Sequence, residues 1–216
     1  MTEVIVRALV AFGLTSISLR LLLGLGLAGR LAIDRPNARS LHASPIPRAG
    51  GLIMVPAALA SSLLVSQQTA LLAAIGGLLC AISFIDDRWG LPILARLTCH
   101  VSAAIVCCQG YMQLSSPLGY ALAATSLVWA ADLFNFMDGS DGLAGGMALF
   151  GFCILGWMML GPTPGVASLA FCLAAAAAGF LIFNFAPARV FMGDAGSVPL
   201  GFLAGDVNNS RIVDGS

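Results

Sequence analysis

The sequence predicts an all-α, polytopic helical membrane protein of about seven to eight transmembrane helices, with its functional loops gathered on one face. Three observations lead there. The 216 residues are 59% hydrophobic and only 9% charged, whereas a soluble domain carries roughly a quarter charged residues. Uncharged runs such as 148–160 and 166–185 fit the ~20 apolar residues that cross a bilayer as a helix. Between such runs lie short turns rich in glycine and aspartate, most densely at 135–144.

The N-terminal run, with Arg7 ahead of it, has some features of a cleaved signal peptide. Its apolar character instead continues past Arg20 to about residue 32, and further spans follow, so 8–29 reads as a retained first span. Breaks in hydrophobicity place the next spans at 52–65, 70–85, 93–112, 118–131, 147–160 and 166–185; an eighth begins near Val198 and stops short. Several are shorter than a crossing requires, so their ends should reach into the adjoining turns. Residues 1–205 read as one membrane domain and 206–216 as a polar tail. The cysteines at 80, 99, 107, 108, 153 and 172 all fall inside apolar runs without metal-ligand spacing, and read as small hydrophobes.

The turns alternate in character. Those at 30–51, 86–92, 132–146 and 186–197 hold or adjoin every charged residue from Arg30 to Asp194, while those at 66–69, 113–117 and 161–165 hold none. Odd turns share one membrane face by parity. Their arginines (Arg30, Arg35, Arg39, Arg48, Arg88, Arg96, Arg189) make that face cytoplasmic under the positive-inside rule; Arg7, Arg20 and Glu3 fit this orientation less well. Topology accounts for the bases but not for the acids. An ionised Asp costs roughly 2.5–3.5 kcal/mol at mid-membrane, so acids between spans are candidates for function. The net charge of zero gives no reason to expect nucleic-acid binding.

Four turns carry the candidate chemistry. Asp86 and Asp87 in FIDDRWGLP (84–92) form an adjacent pair suited to holding Mg²⁺, accepting a proton or orienting a substrate; a solvated turn paired to Arg88 is the plain alternative. In NFMDGSDGLAGG (135–146), Asn135, Asp138 and Asp141 are i,i+3 neighbours if the helix continues through them, and the glycines let backbone approach a ligand. In NFAPARVFMGDAGS (184–197), Asp194 lies between Gly193 and Gly196. It is either a helix N-cap or a metal ligand with free amides nearby for phosphate oxygens. DRPNARSLH (34–42) with PIPRAGG (45–51) brings together Arg48, His42 and other cationic groups, as an anion-binding surface or a topogenic loop. His100, four residues after Arg96, is expected to pack near the membrane edge. Together these turns suit a metal-bridged diphosphate, and a membrane setting makes one substrate a lipid.

These four motifs, in this order, resemble the polyprenyl-phosphate N-acetylhexosamine-1-phosphate transferases, the bacterial family that includes the phospho-MurNAc-pentapeptide transferase. The resemblance extends over most of 34–201. It implies transfer of a sugar 1-phosphate from a UDP-N-acetylhexosamine to undecaprenyl phosphate, with release of UMP. Mg²⁺ is the implied cofactor (or Mn²⁺ in its place), the site faces the cytoplasm at the bacterial inner membrane, and a homodimer fits the family. By position, Asp86 and Asp87 match the family's catalytic acidic pair; Asn135, Asp138 and Asp141 match the nucleotide-sugar motif; Asp194 matches the metal-ligating aspartate. Arg48, with His42 in the preceding motif, matches the region near the donor's nucleotide. The DRPN…RSLH loop is closer to the GlcNAc- and O-antigen-initiating branch than to the pentapeptide branch. Ala49 and Ile46 are mild departures. Family members continue through further spans and a His-containing loop, so the expectation is a truncated member that binds Mg²⁺ weakly and turns over little. A non-catalytic membrane paralogue or assembly partner is the alternative.

Overall fold

The computed structural model describes residues 1–34, 36, 44–62, 68–111 and 116–209. In chain order its elements are α1 (Thr2–Gly24), α2 (Ala28–Leu31), β1 (Ile33–Asp34), β2 (Ile46–Pro47), α3 (Gly50–Ser62), α4 (Gln68–Trp89), α5 (Ile93–Tyr111), α6 (Pro117–Met137), α7 (Leu143–Met159), α8 (Pro164–Asn184) and α9 (Asp194–Asn209). Among the described residues, each predicted span is helical. Five, within α1, α4, α5, α6 and α8, are long and apolar enough to cross a membrane, while α3 and α7 are shorter apolar helices.

Burial follows the pattern of apolar residues. The sequence of α8 is uncharged on every side, and a helix apolar all round belongs in the interior. Of its spanning stretch 78% is buried, against 17% for α1. Helices α1, α3 and α7 pack around α8, and α9 lies against α4 and α6. The large fully buried side chains include Phe152, Phe180, Phe191 and Phe202.

Several ends differ from the sequence reading. The first span starts at Thr2 and stops at Gly24, not near residue 29. Gly26 adopts φ +66, and the amides of Gly26 and Leu27 donate to the carbonyls of Leu23 and Leu22. This is the Schellman pattern that ends a helix on a left-handed glycine. Helix α4 runs to Trp89 and α6 to Met137, so Asp86, Asp87 and Asp132 lie in helical turns rather than in loops. The eighth span does not stop at 204 but continues as α9 to Asn209. The short antiparallel pair β1–β2 was not foreseen, since two-residue strands carry no readable periodicity.

One close contact fixes the register of the site. The amides of Gly50 and Gly51 donate to Phe191 O (3.0 Å) and Met192 O (2.8 Å). A Cβ on Gly51 would collide with the backbone of Gly196 and lie 2.8 Å from the Ala195 carbonyl carbon. Only glycine lets the start of α3 approach the start of α9 this closely.

Candidate active site

The described parts of the four motifs meet at one end of the bundle; residues 35 and 37–43 lie outside the described residues. Pro47 O accepts from Phe191 N (2.9 Å), joining the first and last motifs through backbone, while Arg48 N donates to Ala32 O (3.0 Å) within the first turn. The Arg48 guanidinium lies 3.3 Å from Asp34 and 3.7 Å from Asp87. Asp87 Oδ2 accepts from Ala195 N (3.1 Å) across 108 positions of sequence. Thus odd turns share one end, as parity required.

The adjacent acids Asp86 and Asp87 have separate surroundings. Asp86 accepts from Leu91 N (2.6 Å) through Oδ1 and faces Arg96 at 3.0 Å through Oδ2, so it secures the end of α4 to the start of α5. The side chain of Asp87 is 1% exposed, and its Oδ1 makes no hydrogen bond among the described residues. Neither acid pairs with Arg88, the partner suggested by adjacency.

The 135–142 motif does not continue as a helix. Helix α6 ends at Met137 with Asp138 as its C-cap, and Gly142, at φ +74, precedes α7. The i,i+3 face is therefore replaced by a turn. In that turn Asp138 accepts from Met192 N (2.9 Å) and Gly193 N (2.6 Å) and is buried. Burial pushes its carboxyl up to about 6; the two amide bonds and Arg48 oppose the rise, and Asp194 adds to it. Asn135 bonds both Ser197 Oγ (3.1 Å) and Asp194. Asp141 accepts from Ala188 N (3.1 Å) at the exposed rim.

Asp194 is the first residue of α9. Burial raises its carboxyl, with Arg48 and Arg96 opposing. The amides expected to be free beside it are occupied: Ala195 N by Asp87, and Gly196 N and Ser197 N by Gly193 O. The half-exposed guanidinium groups of Arg48 and Arg96 are the cations that stand beside these acids. His42 lies outside the described residues. His100 is buried with Nδ1 4.0 Å from Asp132, packing α5 on α6.

Sequence reading passed over three residues that build this site. Arg96 was counted only for topology. Asn184 receives Gly142 N (3.0 Å) and donates to Val190 O (2.9 Å), linking the last two motifs. Ser197 bridges Asn135 and Gly193 O. A polar Asn closing a twenty-residue apolar run was the available signal for Asn184.

No group of three or more His, Cys, Asp or Glu suited to a metal occurs among the described residues. Mg²⁺, however, is held by one or two carboxylates together with waters and substrate phosphates. Asp87 Oδ1, which makes no hydrogen bond among the described residues and faces Arg48 only at 3.7 Å, and the neighbouring Asp194 carboxyl fit such a site.

Fold and site define a multi-pass membrane protein with an arginine-edged cluster of acids built from four separated motifs. The chain belongs to glycosyl transferase family 4, which it matches over residues 69–208. It is 34% identical over 212 residues to the decaprenyl-phosphate N-acetylglucosaminephosphotransferase of Mycolicibacterium smegmatis, covering 81% of this chain and 52% of that protein. A probable undecaprenyl-phosphate N-acetylglucosaminyl 1-phosphate transferase of Bacillus subtilis is 29% identical over 189 residues, covering 79% and 53%. The phospho-N-acetylmuramoyl-pentapeptide-transferase of a Picosynechococcus species is 30% identical over 222 residues, covering 87% and 60%. The chain spans about half the length of the curated relatives it matches.

Proposed function

We propose that this chain carries the catalytic loops for transfer of an N-acetylhexosamine 1-phosphate from a UDP-sugar to undecaprenyl phosphate, on the cytoplasmic face of a bacterial inner membrane. The observation that carries the reading is the convergence of four motifs on the buried Asp87 and half-buried Asp194 carboxyls beside Arg48. The transferases it resembles, named for decaprenyl- and undecaprenyl-phosphate acceptors, support that acceptor class. The initiation of O-antigen or another envelope glycan is the corresponding role.

In this reading an oxygen of the lipid phosphate attacks the donor's β-phosphorus. A new P–O–P bond to the lipid forms as the α–β bridging bond breaks, and UMP leaves. Arg48 binds the donor diphosphate, its guanidinium meeting phosphate oxygens at the mouth of the site. Asp87 Oδ1, the carboxylate oxygen without a hydrogen bond, accepts the proton of the incoming lipid phosphate or orients its oxygen. Asp194 and Asp87 would hold Mg²⁺, which when bound neutralises the diphosphate charge. Asn135 and Ser197 orient Asp194, and Asp138 fixes the backbone that presents it. Asp86 and Arg96 set the end of α4 and so the direction of Asp87.

The test is UMP release by this chain in membranes, with undecaprenyl phosphate, Mg²⁺ and a panel of UDP-N-acetylhexosamines. Asp194→Asn should lower release by roughly 10²-fold or more, the scale of losing a major electrostatic contact to the transition state. Near-normal Mg²⁺-dependent release by that variant would remove Asp194 from the metal role. No release from an inserted, folded wild-type chain would overturn the transfer reading for this chain.

A further inference from the structure

A second polar constellation lies at the other end of the bundle. Arg7, in the second turn of α1, has a side chain only 18% exposed, although its ion partner Glu3 is 83% exposed. Among the described residues its one hydrogen bond is Nη2 to Glu3 Oε2 at 3.2 Å. A guanidinium has five donors, so most of its capacity is unused. An arginine buried at a membrane edge marks a functional place by default. The positive-inside rule does not call for one here, because the topogenic arginines gather at the opposite, odd-turn end.

The surroundings point to a ligand. Arg7 borders a cleft of about 390 Å³ together with Thr2, its ion partner Glu3, Pro164 and Ser168. Ser168 is 0% exposed, and its Oγ makes no hydrogen bond of ordinary geometry among the described residues. The soft Cys172 sulfur one turn on is the polar group beside it. The N-terminus of α8, the positive end of a 21-residue helix dipole, opens on the same cleft at Pro164. A guanidinium, an unsatisfied hydroxyl and a helix N-terminus together suit a phosphate.

The cleft is not isolated. Met1 and Val4 also line an adjoining groove of about 440 Å³ between α1, α7 and α8, walled by Phe12, Trp157, Phe171 and Ala175. That groove is almost wholly apolar and open along the membrane-facing side. The exposed Trp157, near the end of α7, suits the headgroup boundary where tryptophan concentrates. A phosphate-binding cleft continuous with an apolar slot matches a two-part molecule with an anionic head and an acyl chain.

We infer that this end of the bundle binds an anionic phospholipid, with the headgroup phosphate on Arg7 and Ser168 and an acyl chain in the α1–α7–α8 groove. The site lies apart from the transfer chemistry and does not depend on it. Glu3 keeps the guanidinium in place but leaves its remaining donors to the lipid.

Native mass spectrometry of the detergent-solubilised chain, titrated separately with phosphatidylglycerol and phosphatidylcholine, tests this without any activity measurement. Retention of phosphatidylglycerol should exceed that of phosphatidylcholine. Arg7→Gln should weaken phosphatidylglycerol binding roughly fivefold, the fold-change for about 1 kcal/mol per basic residue at a lipid surface, and weaken phosphatidylcholine, whose phosphate is offset by its choline cation, by less. Ala175→Phe, which fills the groove without touching a charge, should displace both lipids. Equal retention of the two lipids with no effect of Arg7→Gln would overturn the headgroup assignment. Full competition by millimolar inorganic phosphate, together with indifference to Ala175→Phe, would make the ligand free phosphate and overturn the lipid site.

Discussion

Replacing Asp138 by Ala removes a buried carboxylate that receives two backbone amides from the last motif, Met192 N at 2.9 Å and Gly193 N at 2.6 Å. Hydrogen bonds to charged groups contribute about 1.5–3 kcal/mol each, and an amide left buried without a partner loses about 1–3 kcal/mol. The full local effect is bounded by what still holds the segment: Gly50 N to Phe191 O, Gly51 N to Met192 O and Phe191 N to Pro47 O all survive the substitution. The local opening energy should therefore fall by at least the worth of one such bond, about 1.5 kcal/mol, rather than by the sum. Amide hydrogen exchange on the purified chain reads this directly. Exchange at Met192 and Gly193 should accelerate more than about tenfold, while amides in the middle of α8 keep their protection. Unchanged exchange at those two amides would refute the reading of Asp138 as the clamp of the Gly193–Asp194 turn. Acceleration spread evenly over the bundle would refute its local character.

Two further outcomes follow from the same contacts. Gly51→Ala places a methyl against the Gly196 backbone; overpacking of this kind destabilises by about 1–3 kcal/mol. Thermal unfolding in detergent should show a lowered midpoint, whereas Gly139→Ala, with nothing within 4 Å of its Cβ, should leave it nearly unmoved. Asp138 also links stability to pH: burial raises its carboxyl from 3.8 to about 6. Between those values the folded chain holds a proton that the unfolded chain has released. Its contribution is therefore complete below about pH 4 and is lost as pH rises through about 6, a change on the order of 3 kcal/mol. The stability difference between wild type and Asp138→Asn should accordingly shrink over that window; a difference constant with pH would exclude Asp138 as its source.

The sequence made the bundle legible because a bilayer imposes a length and a composition on each crossing, and α8 is apolar on every face as an interior helix must be. Helix ends were less legible. Helices α4 and α6 run on through Asp86, Asp87 and Asp132 because long-range partners, notably Arg48, Arg96 and Ala195 N, accommodate the first two of these acids. Local hydropathy is blind to those partners. The termination of α1 depends on Gly26 and its Schellman bonds, a signal present in the sequence but outweighed by the apolar run around it. Grouping of the four motifs at one end followed from parity. The separation of Asp86 from Asp87 could not follow from it, since successive helical residues point about 100° apart and only the fold says what each one meets.

The acids of this site accordingly divide by what their oxygens already hold. Asp138 has an amide on each oxygen, Asp86 has an amide and a guanidinium, and Asp141 ties down Ala188 at the rim. These bonds position backbone. Asp87 differs, because Oδ2 is anchored by Ala195 N while Oδ1 is buried without a hydrogen bond among the described residues, its cation Arg48 Nη1 standing off at 3.7 Å. Leaving such an atom unsatisfied carries a penalty of about 1–3 kcal/mol or more for a charged group, and a fold under selection for stability alone would have covered it. Much of the acid at this end of the bundle thus holds backbone in place. Asp87 Oδ1, with Asp194 and Arg48 beside it, is the oxygen that the proposed transfer assigns to a cation or a phosphate proton.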